Sequence, residues 1–361
     1  MSNFDRWNEA FRINNFYEFN NNPNGLLWLK VRAVSRRAQL KSFLDSNGLT
    51  LSSKNMADKQ KELFELMEND VSAMSTLDKY LRDKNNEFYS MMGVDVEKLK
   101  LDLYKVKYYN WGGNRNNSLD KHLVDRFVKV ISEYDVLISN RDRIADNAWN
   151  YVQNSWYNNW TTYLIESLFK HHEKVVSAVG EIKNVDFFIN DYPIDLKVTF
   201  FPNKFLDEKI KLLLGKKELS WLKSKGKSLG ITANANDTEP QQIYTIVEKL
   251  REIGHNEVIA ELNEAKRAIV EESQKDPIEL MTWLYENQGE MRFGAENRLF
   301  IILADSNDLS MSWKMKRAFS LIEPKVQNYL SEFSDQSLKT INFSFKNQKY
   351  KSLSDVIFVI Q

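Results

Sequence analysis

Between residues 185 and 200 the chain reads Val185-Asp186-Phe187-Phe188-Ile189-Asn190-Asp191-Tyr192-Pro193-Ile194-Asp195-Leu196-Lys197-Val198-Thr199-Phe200, and it holds two aspartates and a lysine at a spacing that suits a hard-cation site. In an extended chain, Ile194, Leu196, Val198 and Phe200 share one face and leave Asp195, Lys197 and Thr199 together on the other. Asn-Asp-Tyr-Pro supplies turn chemistry before this strand, so the spacing predicts a hairpin. With a connection of two residues (Asp191-Tyr192) or four (residues 190–193), Ile189 aligns with Ile194 and Asp186 falls opposite Lys197. Asp186 is then diagonal to Asp195, at roughly 7 to 8 Å. A three-residue loop would slip the register by one and turn Asp186 to the other face. Two carboxylates on one face repel unless a cation lies between them. Magnesium (Mg2+), with its preference for oxygen ligands, answers that need and leaves positions for water and a phosphate oxygen. Lys197 beside it is placed to orient or help deprotonate the attacking water and to offset charge on a pentavalent phosphate. The chemistry that fits is phosphodiester hydrolysis.

These strands need a scaffold. After about residue 150, β-branched and aromatic segments at 185–189, 194–201, 299–303, 341–345 and 356–360 alternate with helical stretches near 155–172, 204–224, 240–274 and 312–332. That alternation predicts an α/β fold, a mixed sheet flanked by helices. The first 150 residues read mainly as helix. A run from Leu26 to Leu44 ends at Asn47-Gly48, a second holds Met56 to Leu81, and a third starts at Leu119, while residues 94–109 are ambiguous between helix and strand. Two units follow: a mainly helical domain at 1–150 for DNA binding, dimer contact or both, and a catalytic α/β domain at 151–361.

Composition narrows the chemistry further. Lys plus Arg and Asp plus Glu both number 50, so attraction to a polyanion must come from local patches. The absence of cysteine removes disulfides, thiolate nucleophiles, zinc ribbons and iron–sulfur clusters, and the four histidines are too scattered for an all-histidine metal cage. Neither a signal-peptide pattern nor a run of about 20 apolar residues is present, and the expected location is the cytoplasm.

An aspartate at a strand start followed by Asp-x-Lys in the next strand resembles the PD-(D/E)xK nuclease superfamily, best known from type II restriction endonucleases, although Asp186 follows Val185 rather than proline. The likeness covers residues 155–202. It implies that Asp186 and Asp195 bind the metal, that the Leu196 carbonyl adds a ligand and that Lys197 serves the attacking water. It also implies that a glutamate on the preceding helix, here Glu166, completes the site. Glu181 competes for that role from the strand before Asp186. A weaker likeness lies in Arg292-Phe293-Gly294-Ala295-Glu296-Asn297-Arg298.

Each of these residues also has a bland reading. Glu166 can form a surface pair with Lys170 one helical turn on. His171 and His172 suit a helix C-terminus better than a general base, and Trp156 and Trp160 fit a buried face better than a base-stacking platform. Lys204, Lys223, Lys225 and Lys227 lie in a lysine-rich stretch that suits phosphate tracking or a solvated helix. Arg292 and Arg298 could read guanines or hold phosphates, as Asn234, Asn236, Gln241 and Gln242 could contact adenines. The loop at residues 111–117 could enter a groove or be a plain turn. The resemblance implies restriction of foreign double-stranded DNA by a homodimer, with a cognate DNA methyltransferase acting on the same site. A repair, recombination or RNA-processing nuclease of the same fold and a noncatalytic helical interaction protein are the alternatives.

Overall fold

The structure, a computed structural model, describes residues 2–109, 118–289 and 293–361, apart from the side chains at positions 180 and 181. Arg292 and the 111–117 loop lie outside the described residues, as does the Glu181 side chain. The helices are α1 (Asn3–Arg12), α2 (Pro23–Ala33), α3 (Arg37–Asn47), α4 (Met56–Met67), α5 (Ala73–Met92), α6 (Val96–Leu103), α7 (Leu119–Leu123), α8 (Tyr134–Ser139) and α9 (Arg141–Lys170). Strands β1 (Val175–Ile182), β2 (Val185–Ile189) and β3 (Tyr192–Phe200) follow, then α10 (Asn203–Leu214), α11 (Glu218–Lys227), α12 (Glu239–Glu252), α13 (Asn256–Lys275) and α14 (Ile278–Glu286). The chain closes with β4 (Arg298–Ala304), α15 (Phe319–Glu332), β5 (Lys339–Phe345) and β6 (Gln348–Ile360). Among the described residues, no helix is long and apolar enough to cross a membrane.

The strands form one mixed six-stranded sheet in the order β1-β2-β3-β4-β6-β5. β1, β2 and β3 pair antiparallel, β3, β4 and β6 run parallel, and β5 closes the far edge antiparallel. The α/β architecture is therefore as the alternation predicts. Two runs that read as continuous in sequence are each broken: α2 and α3 separate at residues 34–36, and α4 and α5 at residues 68–72. The ambiguous stretch near 100 is helix α6, with Leu99 and Leu103, one turn apart, buried.

Three apolar cores place the helices. One face of the sheet carries Phe187, Ile189, Ile194, Leu196, Leu299 and Ile301 and packs against α6, α9 and α15. On the other face, helices α1 to α5 share a core with Val176, Ala178, Val185 and Phe188 of β1 and β2. Helices α10 to α14 cover Phe300 and Ile302 of β4 and Ile341 and Phe343 of β5 on that same face. A boundary at residue 150 falls inside α9, and the N-terminal helices are docked on the sheet they precede. Two helical lobes thus share one face of the sheet, and β3 is the floor between them.

Candidate functional site

The register of the β2–β3 hairpin decides the site. Its connection is the two-residue turn Asn190-Asp191, with φ of 44° and 69°, so both central residues are left-handed as a type I′ turn requires. Ile189 pairs with Tyr192, Phe188 with Pro193 and Phe187 with Ile194. The expectation that Ile189 meets Ile194 is corrected by two positions, because the turn sits one residue earlier than the proline suggests. The slip is even, so the carboxylates keep a common face. Extending the register by one places Asp186 directly opposite Asp195, instead of opposite Lys197.

Asp186 stands where the ladder breaks on both sides. Toward β1, the pairing shifts between Ser177 and Ile182, around Val179 at φ 54°. That conformation is strained for a β-branched residue. Toward β3, the strand takes β4 as its partner from Asp195 onward, with Asp195 beside Arg298 and Lys197 beside Phe300. The Leu196 N–H donates to Asp186 Oδ2 at 2.8 Å, so the carboxylate supplies the acceptor that β2 no longer offers. Burial first, then the charges of Asp195 and Glu166, push the Asp186 carboxyl up to about 6, although the Leu196 N–H and Lys170 pull the other way.

Asp195 is buried and Lys197 half exposed. The Lys197 ammonium straddles the carboxylate, at 2.8 Å from Oδ1 and 2.7 Å from Oδ2, but its hydrogen bond goes to Oδ1. Oδ2 has no hydrogen-bond donor and is held by charge, with Arg298 Nε at 3.4 Å. Arg298 is 3% exposed, so it belongs to the interior wall and not to a DNA-reaching surface. Its guanidinium donates to Glu296 Oε1 at 2.5 Å and to Gln288 Oε1 at 2.7 Å, and lies over the Tyr285 ring. Burial and the Asp195 charge raise the Glu296 carboxyl while Arg298 lowers it. The alternation Glu296-Asn297-Arg298 was the available signal for this pair, since residues two apart share a strand face.

Glu166 pairs with Lys170 at 2.6 Å, the half-buried i,i+4 contact open to it in sequence. Its field reaches Asp186. Among the described residues, no group of three or more His, Cys, Asp or Glu side chains is gathered closely enough to hold a metal. His171 closes α9 with Nδ1 2.8 Å from the Ser167 carbonyl, and His172 Nδ1 accepts from the Lys174 N–H. Lys204, Lys223 and Lys227 are exposed on α10 and α11, whereas Lys225 pairs with Glu261 and covers Trp221.

The floor is closed at one end. Asn20 and Asn297 exchange side-chain hydrogen bonds, and Lys351 lies over the Tyr17 ring, which ties the N-terminal lobe to the far half of the sheet. The hairpin turn is anchored too: the fully buried Lys30 of α2 reaches Asp191 and Asp78, each at 2.6 Å. No sequence pattern marks Lys30, which sits inside an apolar helix.

No family model, curated protein or solved structure matches the chain. The arrangement therefore stands on its own chemistry. It holds two neighbouring carboxylates, one lifted in pKa, with a half-exposed ammonium beside them.

Proposed function

We propose that this chain is a magnesium-dependent DNA endonuclease of the PD-(D/E)xK type. The observation that carries the reading is that Asp186 accepts from the Leu196 N–H and feels the Asp195 charge, with Lys197 paired to Asp195. The donor set suits a hard divalent cation. The buried Asp186 resists ionisation beside Asp195, so a cation between them favours the charged form. Asp186, Asp195 and the Leu196 carbonyl would hold it, with Glu166 available once released from Lys170. Magnesium supplies Lewis-acid polarisation of the scissile phosphate and makes hydrolytic water more acidic.

The protein's own part follows from position. Lys197, half exposed at the mouth of the gap, orients the attacking water and offers positive charge where the phosphorane develops. Arg298 fixes Asp195 in the wall. The exposed Lys204, Lys223 and Lys227 are available to neutralise phosphates of the substrate. Cutting both strands of a specific duplex site calls for two copies, and restriction, with a methyltransferase protecting the same sequence, is the role that fits best.

The test incubates the purified chain with unmethylated phage DNA, with magnesium or with chelator, beside Lys197→Ala. Discrete magnesium-dependent fragments absent in the variant support the reading. A smear points to a structure-directed or nonspecific nuclease of the same fold. Intact DNA and RNA throughout would move the assignment to a noncatalytic interaction protein. That second reading draws on the Glu166–Lys170 and Asp195–Lys197 pairs and on the lack of a three-carboxylate group among the described residues.

A further inference from the structure

Helix α9 carries no charged residue from Asn147 to Ile165, a stretch of 19 positions. Trp149, Val152, Trp156, Trp160 and Tyr163 recur along it at spacings of three and four, which is one helical face. A buried face was the expectation for Trp156 and Trp160, yet Trp149 is 64% exposed, Val152 52% and Trp156 36%, with Trp160 partly buried. The ridge continues onto the end of α5. Tyr163 meets Tyr89 in a tilted contact with ring centroids 5.0 Å apart, and the neighbours of Tyr89, Phe88, Met91 and Met92, are 48%, 79% and 42% exposed.

We infer that this ridge is the surface through which two copies of the chain associate about a two-fold axis. At these exposures it presents on the order of 700 Å2 of apolar surface; the largest patch on a typical monomer is about 300–600 Å2, and a standard interface takes about 800 Å2 from each partner. The chemistry selects the partner. A nucleic acid requires cations along the face, and an interfacial membrane helix requires lysines and arginines on its flanks. The stretch has neither. Its flanks are Asn150, Gln153, Ser155 and Asn159, neutral hydrogen-bonding groups. In an isologous contact the groups near the axis meet their own copies, and a charge there would face itself; an uncharged aromatic stripe avoids that repulsion.

The inference gives a surface to the two-copy arrangement that double-strand cleavage requires, but it rests on surface chemistry alone. An inactive dimer would leave it standing, and an active monomer would overturn it without touching the nuclease reading. The experiment is sedimentation velocity on the full chain at about 10 µM, a concentration far above the Kd of a stable interface of this size. The same run is made on the Trp149→Glu, Trp156→Glu double variant. The expected result is twice the chain mass for the wild type and the chain mass for the variant. A monomeric wild type, or a variant that stays dimeric, overturns the inference. Should the double variant fail to fold, Val152→Glu alone, at a position 52% exposed on the ridge, decides the matter: the chain mass supports the inference, and a variant that stays dimeric overturns it.

Discussion

Replacing Asp186 by asparagine is expected to stabilise the metal-free protein at neutral pH while abolishing its response to magnesium. A carboxyl raised from 3.8 to about 6 corresponds to about 3 kcal/mol against the ionised form. The folded chain thus holds a proton there that the unfolded chain has already released. That contribution is full below about pH 4 and is lost as pH rises through about 6. Asparagine removes the ionisation but still accepts from the Leu196 N–H, at a cost of about 1 kcal/mol for trading a charged acceptor for a neutral one. The net gain is about 2 kcal/mol at pH 7, shrinking toward zero or below near pH 4. Urea unfolding of both proteins in chelator, from pH 4 to pH 8, reads this directly. Added magnesium should then stabilise the wild type, by about 2.7 kcal/mol at a hundred times the dissociation constant, and leave the variant unchanged. A variant less stable than wild type at pH 7, or a difference that stays flat across the pH range, would refute the argument that burial and Asp195 set the Asp186 carboxyl.

The remaining predictions concern the site and its supports. Lys197→Ala should lower cleavage at least a hundredfold and lower the unfolding midpoint as well, because it leaves the buried Asp195 carboxylate with Arg298 alone. Arg298→Met should cost about 3 to 5 kcal/mol in a denaturant titration, since it strands Glu296 as a buried charge and leaves Asp195 to Lys197 alone. Gly294→Ala places a methyl 1.8 Å from Glu296 Oε2 and should cost about 1 to 3 kcal/mol by forcing the glutamate off Arg298. Lys30→Met should lower stability by about 3 kcal/mol by freeing the hairpin turn from α2 and leaving Asp78 Oδ1 buried without its cation, while the exposed Asp191 rehydrates. Differential scanning calorimetry would register that loss as a lower melting temperature.

The legible part of this protein is periodic. Alternation in residues 194–200 fixed which side chains of β3 share a face, because the period of two belongs to the extended backbone itself. The five apolar segments and the helices between them were readable for the same reason, and so was the i,i+4 contact of Glu166 with Lys170. Asp186 and Asp195 could be put on a common face from any even-numbered connection. Which residues form that connection was not readable, because Asn190-Asp191 and Asp191-Tyr192 are both plausible turns in isolation. The former prevails with both residues left-handed and Asp191 held by Lys30, 161 positions away in the chain.

Sequence alone determined the local chemistry: two carboxylates and an ammonium within twelve residues of an apolar hairpin. Tertiary structure decided what surrounds them. It turned Arg298 from a surface reader into the buried clamp on Asp195, docked the N-terminal helices on the sheet instead of leaving them as a separate unit, and left Trp149 and Trp156 of α9 in solvent. Those outcomes depend on which faces meet. Burial of an arginine or exposure of a tryptophan is settled by packing between elements distant in sequence, and a local pattern carries no information about that partner.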